Sequence, residues 1–130
     1  MDYQRWYRSL IKPSWAPPEW AFGVVWSILY PIIIGINVYV VILLLRGKIG
    51  WLIALPFWLN LAFNIIFTPI QFGLRNNALA LVDIFLVLIT IVWAMYAIWP
   101  FAKIATIAFI PYVIWVSIAT ALQLYITIKN

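Results

Sequence analysis

Four long apolar runs, Ala21–Leu45, Trp51–Phe72, Ala78–Trp99 and Ile104–Ile128, set the pattern of this chain. Each run is continuous rather than alternating, which disfavours the strands of an open sheet or a barrel. Each also has the about 20 residues that a helix needs to cross the hydrocarbon of a bilayer. The interruptions are short and polar or helix-breaking: Arg46-Gly47-Lys48, Gly73 to Asn77, and Pro100 with Lys103. Connections of that length force neighbouring helices to lie antiparallel and side by side. The pattern predicts an all-α membrane protein with four transmembrane helices in an antiparallel bundle, forming a single domain over residues 1–130.

A different texture precedes the first run. Between Trp6 and Trp20 lie Pro13, Pro17 and Pro18 among several tryptophans and tyrosines. The prolines forbid a regular helix through that stretch, and Trp and Tyr favour the headgroup level. Residues 1–20 are therefore expected to form an interfacial segment or cap, and both chain termini fall on the cap side.

Composition sharpens the class. Hydrophobic residues make up 68% of the chain and charged residues 8%, with eight Lys/Arg and three Asp/Glu in all. That is too little charge to cover a soluble domain and too much apolar surface for a disordered one. Cysteine and histidine are both absent, which removes disulfides, thiol nucleophiles, imidazole bases and the usual zinc ligands. The cations are scattered, with no basic stripe of the kind that nucleic-acid binding needs. Arg5, Arg8, Lys12, Arg75 and Lys129 fall on the cap side, against Arg46, Lys48 and Lys103 on the other, a bias that favours a cytoplasmic cap.

Few polar or aromatic positions inside the spans invite chemistry. Trp26 and Tyr30 stand one helical turn apart on one face, with Trp15 and Trp20 nearby in the cap. Tryptophans at a membrane boundary are commonly anchors, but Trp26 lies roughly 9 Å inside the span, deeper than an anchor needs. Asn60 and Asn64 also share a face, and carboxamides in hydrocarbon must turn towards the bundle interior, as interhelical glue or as ligand contacts. Asp83 is the one acid well inside a span. It is a functional candidate by position, or else a member of a polar network with Arg75 or Asn64, or a carboxyl kept neutral. Trp115, Ala119 and Leu122 form one stripe in the last span, which reads as packing or as a slot for a flat ring between indoles. Leu122, Tyr125 and Lys129 fit a proposed cholesterol-contact pattern that carries little weight alone. Pro31, Pro56, Pro69 and Pro111 predict kinks that could open a cavity.

The residues WYRSLIKPSWAPPEWAFGVVWSILY, from Trp6 to Tyr30, resemble the loop and second helix of the translocator protein, or tryptophan-rich sensory protein, family, formerly the peripheral-type benzodiazepine receptor family. Three further blocks follow in the family's order: Leu59–Gly73 resembles its third helix, Asn76–Leu86 the start of its fourth, and Ile110–Ile126 its fifth. Family members have five transmembrane helices, so the first would lie before Trp6, and this chain is expected to lack it.

The resemblance implies a membrane protein that binds tetrapyrroles such as protoporphyrin or haem, and sterol-like flat hydrophobic ligands, as sensor, regulator or transporter. Trp26, Trp115 and Ala119 match family residues at the ligand pocket, and the stretch around Leu122, Tyr125 and Lys129 matches its sterol site. Ligand-binding candidates are thus Trp15, Trp26, Tyr30, Asn60, Asn64, Asp83, Trp115 and Ala119, with no metal site and no required cofactor. Two other classes stay open. One is a light-dependent porphyrin-degrading enzyme using Trp26 and Trp115, the pair that the resemblance implicates. The other is a small four-span proton-coupled exporter, for which Asp83 is single and shallow. The expected partners are the small-molecule ligand, membrane lipid and a second copy of the chain in a homodimer. The expected site is the cell (inner) membrane in a bacterium or the mitochondrial outer membrane in a eukaryote.

Overall fold

A computed structural model describes residues 19–68 and 77–129. The proline- and tryptophan-rich segment with Trp15, the 69–76 connection with Pro69 and Arg75, and the expected end of the second span at Phe72 lie outside the described residues. Among the described residues five helices follow in order: α1 (Glu19–Leu45), α2 (Trp51–Thr68), α3 (Asn77–Ile98), α4 (Lys103–Ala108) and α5 (Ile110–Lys129). Segments Trp20–Leu45, Asn77–Ile98 and Lys103–Lys129 are each long and apolar enough to cross a membrane, and the apolar part of α2 covers Trp51–Phe67.

The last span is built from two helices, where the apolar pattern predicts a single helix over 104–128. Pro111 has no N–H to give Ile107, so the regular ladder cannot continue through it. The chain solves this at Phe109, whose N–H is shared between the carbonyls of Ala105 at 3.3 Å and Thr106 at 3.1 Å. Such a shared bond tightens the turn before the helix resumes. Pro31 and Pro56, in contrast, are carried inside continuous helices.

Packing follows the stripes in the sequence. Helix α3 is sandwiched between α2 and α5. It buries Ala80, Ile84, Val87, Ile91, Ala94 and Ile98, an alternation of four and three steps that keeps one seam facing inwards. Helix α1 packs more lightly against α2 and α4 through Leu29, Ile33 and Val40. Its other face, with Ile28, Ile34 and Val38 more than half exposed, would be an aggregation hazard in water and is the face a lipid tail requires.

The turn after α1 shows how one glycine fixes an exit. The Gly47 N–H reaches the Leu44 carbonyl at 3.1 Å and the Lys48 N–H reaches the Leu43 carbonyl at 2.9 Å. This pair of bonds satisfies carbonyls at the helix end and needs a left-handed residue, which Gly47 supplies at φ +72°. A Cβ there would meet nothing within 4 Å, so the backbone conformation is the whole penalty. Gly47→Ala should therefore cost about 1 kcal/mol, read as a small fall in thermal stability in detergent.

Candidate functional site

Interior aromatics and amides converge near one level of the bundle. On α1, Trp26 and Tyr30 stack, with centroids 5.0 Å apart and planes 27° apart, as their one-turn spacing requires. Across from them, α5 brings Tyr112, whose ring meets Trp26 edge-on at 6.4 Å and Phe109 edge-on at 5.2 Å. Phe109 in turn lies 5.6 Å from Phe57 of α2. The residue that breaks the last span thus fills the centre of the bundle, and Phe57, Phe109 and Tyr112 are all fully buried.

Five polar side chains run as a directed relay through this aromatic knot. The Tyr30 hydroxyl donates to Asn64 Oδ1 at 3.4 Å, and Asn64 Nδ2 donates to the Tyr112 hydroxyl at 2.7 Å. The Tyr112 hydroxyl donates to Asn60 Oδ1 at 3.1 Å, and Asn60 Nδ2 donates to Thr90 Oγ1 at 3.2 Å. Thr90 closes the series on the Leu86 carbonyl at 2.8 Å. The relay touches α1, α2, α5 and α3 in turn, which satisfies groups that hydrocarbon could not. Its weakest link is the first, at the limit of a hydrogen bond and at its most exposed member, Tyr30.

Beside the open end of the relay, α1 and α5 meet through ring contacts more than through close backbone approach. Phe22 meets Trp115 edge-on at 5.4 Å. The buried indole nitrogen of Trp115 has no hydrogen-bond partner, which leaves a donor without an acceptor. One turn on, half-buried Ala119 adds almost no volume to the same side of α5. Aromatic rings on α1 and α5, the unused Trp115 N–H and a small residue one turn on suit a flat apolar body that carries an acceptor at its edge.

Other predicted residues stand apart. Asp83 is buried on α3, and its Oδ2 has no hydrogen-bond partner. Asn64 spends its amide on the two tyrosines, so it is not the partner of Asp83. Leu122 faces the core, whereas Lys129 is exposed with its ammonium 5.9 Å from the Tyr125 ring, so the three do not share one outward face.

Tyr112 and Thr90, which hold the middle and end of the relay, are not among the sequence candidates. The signal for Tyr112 lies in Ile-Pro-Tyr: a phenol well inside an apolar span must find a polar partner, and Asn60 and Asn64 are the amides that supply one. Asn37 also escapes the sequence reading. It is buried on α1, gives Nδ2 to the Ile33 carbonyl at 2.8 Å, and leaves Oδ1 unpartnered.

Residues 1–129 match the TspO/MBR family. Among individual relatives, the chain is 38% identical over 119 residues to protein CrtK of Rhodobacter capsulatus, covering 91% of this chain and 74% of that protein. It is 36% identical over 122 residues to the translocator protein of Homo sapiens, covering 92% of this chain and 71% of that protein. Against a tryptophan-rich sensory protein of Cereibacter sphaeroides it is 35% identical over 119 residues, covering 91% and 72% respectively.

Proposed function

Because this chain belongs to the TspO/MBR family of membrane proteins, we propose that it binds a flat tetrapyrrole such as protoporphyrin between α1 and α5. Sterol-like ligands of similar shape would use the same slot. The observation that carries this reading is the pair of ring contacts between α1 and α5, Phe22 against Trp115 and Trp26 against Tyr112, beside the stacked Trp26–Tyr30 pair and Asn64, with the small Ala119 one turn on from Trp115. The ring system stacks on indole faces, and its carboxylate edge accepts from the Trp115 N–H and from the Tyr30–Asn64 end of the relay. Relatives named as translocator and sensory proteins support a role that couples such binding to a signal or to passage across the membrane.

Protoporphyrin titrated into detergent-solubilised protein should quench tryptophan fluorescence saturably, since several indoles would lie against the ring. Trp115→Ala should weaken that quenching by roughly tenfold or more in affinity, the scale of losing an aromatic contact and a charge-assisted hydrogen bond. Trp51→Ala should leave it unchanged, because Trp51 is 60% exposed at the opposite end of the bundle. Quenching that never saturates at micromolar porphyrin would refute the reading.

A further inference from the structure

The end of the bundle away from this slot carries the 46–50 turn and the 99–102 turn. Both are pinned from inside: Ile49 and Ala102 are buried in the same core cluster, and α1 packs against α4 just beneath them. Three exposed cations, Arg46, Lys48 and Lys103, are thereby held at one end. Among the described residues no acid accompanies them, because Glu19 and Asp83 sit at or near the opposite end of their helices. Like charges held at one end repel, and among the described residues no carboxylate there offsets that cost.

The surroundings match a headgroup. Lys103 Nζ stands 5.3 Å from the ring centre of Trp99, a cation–π contact that holds the ammonium at the level of a half-exposed indole. Indoles prefer the headgroup layer, so the ammonium is set where phosphates lie. Just below, towards the hydrocarbon, Leu45 and Ile104 are 80% and 67% exposed and offer a surface for acyl chains. We infer that this end of the bundle is a binding surface for an anionic phospholipid, with Arg46, Lys48 and Lys103 on the phosphate headgroup and Leu45 and Ile104 against its chains. The anion neutralises the cluster, and its two-part chemistry, charge above and hydrocarbon below, distinguishes it from a free phosphate. This surface is separate from the tetrapyrrole slot and does not depend on it.

Spin-labelled phosphatidylglycerol and phosphatidylcholine, each added to phosphatidylcholine vesicles containing the full chain, would test the assignment through the fraction of label immobilised by protein. Each cation near the headgroups contributes about fivefold when unscreened, so at low salt wild type should favour phosphatidylglycerol by roughly tenfold or more. R46Q/K48Q/K103Q should lower that preference several-fold, leaving what cations elsewhere in the chain contribute, and Lys103→Gln alone should lower it in part should the triple variant not fold. Lys129→Gln, at the opposite end of the last span, should keep it. No preference in wild type, a preference untouched in the triple variant, or an equal loss in Lys129→Gln would overturn the proposal. So would selective displacement of phosphatidylglycerol by inorganic phosphate beyond that of sodium chloride at equal ionic strength, which would mark a free-anion site instead.

Discussion

Tyr112→Ala should lower stability by about 3–5 kcal/mol, the range for removing a fully buried aromatic from a packed core. The ring is 0% exposed and touches Phe109 and Trp26, so its loss opens a cavity where three helices meet. Tyr112→Phe isolates the hydroxyl. It keeps the ring but strands the Asn64 N–H and the Asn60 carbonyl oxygen, both of which now end on that oxygen. In water-soluble proteins an orphaned buried polar group costs about 1–3 kcal/mol. Inside a bilayer the cost is smaller, about 1 kcal/mol, because the unfolded chain also finds internal partners. Steric trapping in bicelles can measure both variants at equilibrium. A Tyr112→Phe protein as stable as wild type would show that the relay is not holding the bundle together. An Asn60→Leu and Tyr112→Phe double-mutant cycle would then give the coupling of that one bond, expected to be the larger share of the loss.

The contrast between Tyr112 and Asn60 shows what was legible in the sequence. Continuous apolar runs gave the spans, since lipid allows few other solutions, and amides at i and i+4 had to face inwards whatever their partners. Asn60 and Asn64 are both buried, and Trp26 and Tyr30 stack as their spacing required. Identity of partners was not legible. Tyr112 reads in one dimension as one more aromatic near a proline, and its role appears only in the structure, where it stands just after the break at Phe109 and reaches both amides of α2. Thr90 reads as a helix-tolerated hydroxyl and gains meaning only because α3 sits between α2 and α5. Asp83 shows the converse limit: it is buried as its position implied, but of the alternatives open to it Asn64 is engaged elsewhere and Arg75 lies outside the described residues. Leu122 is a similar case, since a linear pattern of Leu, Tyr and Lys says nothing of which of them the helix turns inwards.

Ala119→Thr should weaken protoporphyrin binding by roughly ten- to a hundredfold while leaving the fold nearly unchanged. Threonine is tolerated in a helix when its hydroxyl bonds back to the carbonyl four residues earlier, here Trp115, so α5 itself has little reason to move. Thr120, the next residue, already does this with the Val116 carbonyl at 2.7 Å. What changes is volume on the side of α5 that carries Trp115. If a flat ring packs against that side, the added atoms cost about 1–3 kcal/mol in the bound state, which gives the stated loss of affinity. Ala119→Ser separates volume from polarity, because it adds the hydroxyl without the methyl group. If the slot reading holds, the serine variant should bind within a few-fold of wild type while the threonine variant fails, both judged by fluorescence quenching at matched thermal stability. Equal affinity in all three proteins would mean that Ala119 is ordinary helix packing, and that the ring lies elsewhere.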